Sequence, residues 1–271
     1  MPKKILFVNQ EITPFVPESE LSILGKQLPL IMQDRGYESR AFMPKWGTIN
    51  GRRGQLHEVI RLSGMNIIID DTDHPLIIKV ASIPMSRIQV YFIDNDDYFQ
   101  QRQMVENEAG EEYADNGERA IFFARAVLET VKKQRWSPDI IVCQGWMSAV
   151  VPLYVKTAYK DEPMFSNAKV VTSLFSKELK NDLGVKFKQC VEYRDATSEL
   201  LSVYDDHFDF VELGKMAIDY SDGIIEAGSN VNPVLTAYAK EKGLPLMSFP
   251  GSEDYADAYN DFYSKFVATE E

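Results

Sequence analysis

Residues 14–29 read PFVPESELSILGKQLP and follow the short apolar run KILFV (Lys4–Val8). In an α/β protein, a turn between the first strand and the first helix is where backbone N–H groups usually face a phosphate or a sugar. The helix N-terminus favours negative charge there, and glycine lets backbone approach the ligand. This turn carries Pro17, Glu18, Ser19 and Glu20 instead, with no glycine and no lysine. A second stretch, VCQGWM (Val142–Met147), sets Gln144, Gly145 and Trp146 at the end of another apolar run. Trp146 either offers a ring face to a sugar or caps the core at a strand–helix junction. Burial is the commoner use of tryptophan and is the favoured reading.

Other chemistry is sparse. His57, His74 and His207 lack the close His, Cys or carboxylate spacing of a zinc site, and no metal is expected. Asp70, Asp71 and Asp73 beside His74 could hold a hard cation, but they read as a solvated turn between strands. Asp94, Asn95, Asp96 and Asp97 read the same way. No Ser-His-Asp or Cys-His arrangement follows from spacing. GRRG (Gly51–Gly54) is a small basic turn, read as a surface loop rather than a phosphate contact.

The elements that would position these residues alternate in an α/β rhythm. Lys4–Val8 reads as a buried strand. Pro17 opens a helix in which Leu21, Leu24, Leu28, Ile31 and Met32 recur at helical spacing, and Gly36 closes it. Arg40–Pro44 is a second strand. Residues 45–94 are β-rich, with strands over Met65–Asp70, Leu76–Ser82 and Ile88–Asp94, read as an inserted meander. Residues 97–116 read as a surface loop or short helices. Glu118–Gln134 is an amphipathic helix, Pro138–Cys143 a strand, and Trp146–Tyr159 a helix complicated by Pro152. Strands over Ala168–Leu174 and Gly223–Ala227, helices over Phe210–Ser221 and Asn232–Gly243, and a last strand over Pro245–Phe249 follow. Residues 252–267 form an amphipathic helix with Tyr255, Tyr259, Phe262 and Phe266 on one stripe. The expectation is one α/β domain over residues 1–271: a Rossmann-like parallel sheet, helices on both faces and a β-rich insertion.

Composition narrows the partners. The formal net charge is −12, from 29 Lys and Arg against 41 Asp and Glu. Such a surface repels phosphate backbones and anionic lipid, so neither nucleic acid nor membrane is an expected partner. Two cysteines, Cys143 and Cys190, make no disulfide framework and suit a reducing cytoplasm. The N-terminal apolar run is too short for a signal peptide. No stretch approaches the ~20 apolar residues of a membrane span.

Several ordered blocks resemble bacterial glycogen synthases and plant starch synthases, which are retaining glucosyltransferases using ADP-glucose or UDP-glucose. They are KILFVNQEITPF, LP at 28–29, MPKW at 43–46, VYFIDNDDYFQ (Val90–Gln100), DNGERAIFFARAVLE (Asp115–Glu129) and PDIIVCQGWMSAVVPLYVK (Pro138–Lys156). The resemblance fades after about residue 175. It implies a GT-B fold of two Rossmann-like domains, of which this chain covers only the N-terminal, acceptor-side domain.

The departures fall on the chemistry. Where that family carries Lys-x-Gly-Gly-Leu, only Leu21 survives, behind Pro17, Glu18, Ser19 and Glu20. A carboxylate at Glu20 would repel a diphosphate by roughly 1 kcal/mol at ~4 Å even in water. The family's aspartate in this helix is Ile23. Its His-x-His-Asp-Trp-His pattern is Val142, Cys143, Gln144, Gly145, Trp146 and Met147, so the last histidine is lost. Its Thr-x-His-Asn block aligns with Thr172, Ser173, Leu174 and Phe175. Glu11 matches the family's carboxylate after the first strand and is read as tying loops by hydrogen bonds.

The resemblance therefore implies a cytoplasmic protein of storage-polysaccharide metabolism, a pseudoenzyme without autonomous glucosyl transfer, acting by binding or regulation. The alternative is half of a split glucan synthase that needs a separate C-terminal partner. No catalytic residue and no cofactor is assigned. The ligand-cleft candidates are Glu11, Ser19, Glu20, Gln144, Gly145 and Trp146. An α-glucan, a nucleotide sugar, a GT-B C-terminal-type subunit or a second copy of the chain are the partners considered. The C-terminal helix is expected to cross the domain as in complete GT-B enzymes and to bury Tyr255, Tyr259 and Phe262.

Overall fold

Four consecutive apolar residues, Ile5 to Val8, are wholly buried in strand β1 (Lys4–Asn9). That is the pattern of a strand covered on both faces in a parallel sheet. The computed structural model describes residues 2–251 and 255–267. From β1 the chain runs through α1 (Glu20–Asp34) to β2 (Glu38–Pro44), then β3 (His57–Glu58), β4 (Met65–Ile69), β5 (Thr72–Ser82) and β6 (Gln89–Asp94). After α2 (Asn116–Gln134) come β7 (Ile140–Gln144), α3 (Val151–Lys156) and β8 (Lys169–Leu174). The short helices α4 (Phe187–Val191) and α5 (Ser198–Leu201) precede α6 (Phe210–Asp219), β9 (Gly223–Glu226), α7 (Pro233–Glu241), β10 (Leu246–Met247) and α8 (Tyr255–Ser264).

The sheet order is β10-β9-β8-β7-β1-β2-β6-β5-β3, with β4 paired to β5. Strands β10 to β6 pair in parallel, while β3, β4 and β6 all run antiparallel to β5. The β-rich segment is thus anchored in the main sheet: β6 adds parallel to β2, and the antiparallel strands hang from it. Because crossovers are right-handed, β1–α1–β2 and the β6-to-β9 connections, which run the other way, place their helices on opposite faces. Accordingly α1 packs with α8, while α2, α3, α6 and α7 pack in succession. Strand β1 lies between β2 and β7, where the winding reverses. That switch point is where open α/β sheets bind ligands, outside the C-terminal strand ends.

Local chemistry sets several boundaries differently from the sequence reading. Helix α1 starts at Glu20, because Ser19 caps it and Ser22 reciprocates in a capping box; Pro17 stays outside. The helix expected over 146–159 is two pieces. Trp146–Ser148 is a 3-10 turn closed by Ser148 Oγ donating to Gly145 O at 2.8 Å, and α3 begins afresh with Pro152 in its first turn. There the proline's missing N–H is no loss.

The loop between β6 and α2 contains no helix and buries Tyr98, Phe99 and Val105. His74 is no part of a solvated turn: it is buried in β5, bonded to the Tyr98 hydroxyl at 3.0 Å and to Asp97 at 3.2 Å. Burial and the hydrogen bond to Glu118 push the Tyr98 phenol well up. Asp94 and Asn95 are likewise buried, Asp94 held by Lys79 at 2.6 Å and Asn95 bonded to Pro75 O; Asp96 and Asp97 are exposed.

In α8, Tyr259, Phe262 and Tyr263 are buried and Tyr255 is half-buried. Tyr263, off the predicted stripe, meets Phe7 of β1 edge-on. The proposed helix start at residues 252–254 lies outside the described residues. No helix among the described residues is long and apolar enough to cross a membrane.

Both cysteines are free and buried. Burial alone pushes the Cys143 thiol far up, while burial first and Asp70 second push Cys190 up to about 11. Thiolate is the reactive form. Native protein at pH 8 is therefore expected to leave both thiols unreacted toward Ellman's reagent over minutes. Two thiols should appear in 6 M guanidinium, and rapid native reaction would contradict this burial.

Candidate functional site

The switch point is built from the C-terminal ends of β1, β7 and β8. In register across these strands stand Asn9, Gln144 and Ser173. All three are buried. The Asn9 side chain donates to Gly25 O at 3.3 Å. Its purpose is legible from the helix: Pro29 lies inside α1 and has no N–H to give the carbonyl four residues earlier, which is Gly25. Asn9 supplies the missing donor. Gly25 also lets α1 approach the strand-end loop, since a Cβ there would sit 2.2 Å from Glu11 O.

Gln10 joins the elements around the site. Its N–H donates to Gln144 O at 3.0 Å, its carbonyl accepts Trp46 Nε1 at 2.8 Å, and its side-chain oxygen accepts the Met147 N–H at 3.3 Å. The Gln10 amide nitrogen donates to Glu11 Oε1 at 3.2 Å. Glu11 is 3 % exposed and also accepts the Ser19 hydroxyl at 2.7 Å, with Lys177 Nζ at 3.5 Å. The carboxylate thus ties β1, the N-cap of α1 and the loop after β8 together, as a loop-tying role requires.

The α1 N-terminus is capped from within. Ser19 Oγ accepts the Ser22 N–H at 3.0 Å, and Ser22 Oγ accepts the Ser19 N–H at 2.8 Å. Glu20 reaches over the loop after β9, where a Cβ on Gly228 would lie 3.0 Å from its Oε2. Replacing Ser19 by alanine removes both the cap and the partner of Glu11. The expected loss is about 1–2 kcal/mol of stability, read as a lower urea midpoint at unchanged slope.

Gly145 makes the turn after β7 with φ +84° and ψ 160°. A Cβ there would meet Gln10 Oε1 at 2.7 Å and Leu21 Cδ1 at 2.8 Å. Trp146 is 5 % exposed and packs beside a cavity of about 30 Å³ lined by Phe175, Leu213 and Leu235 among others. Its ring face is covered. Met147, at the position of the lost histidine, is wholly buried, as are Leu174 and Phe175 to within a few per cent. Thr172 Oγ1 bonds Ser221 Oγ at 2.7 Å.

Of the six candidates, then, Glu11 and Ser19 touch directly. Gln144 and Gly145 meet them through Gln10, Glu20 stands at the rim, and Trp146 turns into the core. Among the described residues, Gln144 has no hydrogen-bond partner for either side-chain polar atom, and neither do Asn9 Oδ1 and Ser173 Oγ. Sequence reasoning missed Asn9, Gln10 and Lys177. Pro29 inside a helical pattern was the one signal that a side chain must serve the freed carbonyl; nothing local marked Lys177.

Among known proteins, the profile of the starch synthase catalytic domain matches residues 4–242, well beyond residue 175 where the motifs fade. The glycogen synthase of Chlorobium limicola is 32% identical over 249 residues, 88% of this chain and 50% of that protein. That of Chlorobaculum tepidum is 38% identical over 172 residues, 63% of this chain and 35% of that protein. The solved catalytic domain of starch synthase IV from Arabidopsis thaliana, bound to ADP and acarbose, superposes with a TM-score of 0.69 at 16% identity. It covers 96% of this chain and 53% of that one, which identifies the fold. The chain spans about half the length, or less, of the curated relatives it matches.

Proposed function

The chain belongs to the starch synthase catalytic-domain family, and from that premise we propose that it is a glycogen- or starch-synthase-like domain acting by binding or regulation, without glucosyl transfer of its own. The observation that carries this reading is the α1 N-terminus. Its capping box takes up donors there, Glu11 is bonded to its cap, and Glu20 adds a second carboxylate. An incoming diphosphate would meet negative charge at a terminus that elsewhere welcomes anions. Met147, Leu174 and Phe175 fill with apolar groups the places where the resemblance sets polar ones. Catalysis by positioned charge needs the reverse.

An α-glucan remains the ligand class that such a domain would hold, with Ser19, Glu20 and Gly145 proposed to face it and the buried Glu11 and Gln144 to support them. Calorimetric titration with ADP-glucose and with UDP-glucose tests the anion argument. The expected result is no saturable heat up to millimolar concentration. Micromolar binding of either would sink it.

A second reading is favoured by one observation, the coverage of only about half of each relative. In it the chain supplies the acceptor side of a glucan synthase whose nucleotide-sugar side is a separate polypeptide. Co-purification with such a partner, and activity only when both are mixed, would support it over the first.

A further inference from the structure

A large cavity lies beside the β1–α1 loop, on its Pro14–Pro17 side. It is an open groove of about 910 Å³ between the cis Thr13–Pro14 turn, the loop over 48–57 and the β5–β6 hairpin. None of its nineteen lining residues is acidic. Across the chain 41 of 271 residues are, so roughly three would be expected by composition. The flanking sequence keeps the bias. Residues 45–64 hold Lys45, Arg52, Arg53 and Arg61 against Glu58 alone, and 75–89 hold Lys79 and Arg87 with no acid.

We propose that this groove binds a sugar monophosphate, with the phosphoryl group on Arg53. Arg53 lines the groove and is exposed, and it forms no ion pair with any described residue. Arg35, Arg40, Arg102 and Arg194 pair with carboxylates, whereas Arg53, like the exposed Arg52, Arg61 and Arg87, pairs with no described residue; of these four, Arg53 is the one that lines the groove. The loop that carries Arg53 is held in place. Asn50 Oδ1 accepts the Arg53 N–H at 3.0 Å, Asn50 O accepts the Gly54 N–H at 2.9 Å, and Gly51 O accepts the Leu56 N–H at 2.9 Å. The loop rests on Phe15, which in turn meets Phe92 edge-on at 4.9 Å. A planar guanidinium carried on a backbone held in this way suits a phosphate.

The rest of the lining suits hydroxyls. Gln55, Gln89 and Ser82 are exposed on it and can both donate and accept. His57 adds an imidazole, and Phe15 a ring edge or face for the apolar side of a sugar. A neutral glucan has no need of an acid-free wall, since carboxylates serve sugar hydroxyls well as acceptors. An anion does need one, because a lining carboxylate would repel it on a molecule already carrying net charge −12. The inference does not depend on whether the chain transfers glucosyl groups.

The test is calorimetry of the full chain with glucose 1-phosphate, glucose 6-phosphate, glucose, inorganic phosphate and maltoheptaose. At least one sugar phosphate should bind roughly tenfold or more tightly than glucose or inorganic phosphate. Arg53→Ala should weaken that binding at least about tenfold, the scale of one charge-assisted contact. Ser82→Glu, which adds a carboxylate at an exposed position, should do the same while the melting temperature stays put. Failure of both sugar phosphates to bind overturns the proposal. So does indifference to either substitution, or binding of inorganic phosphate as tight as the sugar phosphate. Maltoheptaose binding that matches the sugar phosphates would make this a neutral glucan groove instead and would equally overturn it.

Discussion

Gly145→Ala is expected to lower the thermal midpoint by roughly 10 °C. Two independent penalties act at this residue. Its φ of +84° with ψ of 160° lies in a region that side chains rarely enter, at a cost of about 1–3 kcal/mol. A methyl group would also sit 2.7 Å from Gln10 Oε1, 2.8 Å from Leu21 Cδ1 and 2.9 Å from Gln10 Cβ. None of these can yield freely. Gln10 is held through Trp46, Met147 and Glu11, and Leu21 is buried in the first turn of α1. Overpacking of this kind costs about 1–3 kcal/mol more. At about 2–4 °C per kcal/mol for a chain of this size, the sum gives the stated shift. Thermal melts followed by circular dichroism measure it. A loss under about 3 °C would mean that the turn relaxes and that Gln10 does not hold the site in place.

Arg119→Ala is expected to cost about 3–5 kcal/mol, by a different mechanism. Arg119 is wholly buried, and its guanidinium lies 5.0 to 5.4 Å from the ring centroids of Trp46, Phe99 and Tyr113. It donates to Asn116 Oδ1 at 2.8 Å and to Gln103 O at 3.2 Å. Burial pulls its pKa down to about 10, which leaves it charged at neutral pH. Alanine would leave a cavity walled by three rings and a loop carbonyl without its donor. The neighbouring Arg102–Asp115 pair, bidentate at 2.7 and 2.6 Å, survives the change and keeps Asp115 compensated. The damage should therefore spread through Trp46 to Gln10 rather than through a stray charge. Urea denaturation reads the loss. Arg119→Lys should recover only part of it, because an ammonium lacks the planar face that stacks on the rings. Full recovery by lysine would assign the effect to charge alone.

The sheet was the most legible part of the sequence, and for a physical reason. Parallel strands buried on both faces are unbroken apolar runs, so Lys4–Asn9, Ile140–Gln144 and Lys169–Leu174 could be read within one or two residues. Helix α2 announced itself by period and by Lys132 and Lys133 in its last turn. What could not be read depends on partners far along the chain. His74 and the Asp94–Asp97 run look like turn chemistry, and only Tyr98, Lys79 and Pro75 show that His74, Asp94 and Asn95 are buried and bonded. Pro17 looked like a helix start until Ser19 and Ser22 capped each other.

The candidate site divides the same way. Family motifs pointed to Glu11 and Gly145, and both sit at the switch point. The residues that organise it, Asn9 and Gln10, carry no motif; they act through a carbonyl freed by Pro29 and through Trp46. Trp146, named among the cleft candidates, lies in the core instead, as the ordinary tendency of tryptophan to be buried favours.

The central claim, that this domain transfers no glucosyl group unaided, is tested most directly by incubating the purified chain with ADP-[14C]glucose or UDP-[14C]glucose and glycogen, beside a glycogen synthase as positive control. Radiolabel in glycogen is expected to be no higher than in the protein-free reaction. Sustained incorporation that scales with the amount of this chain would contradict it.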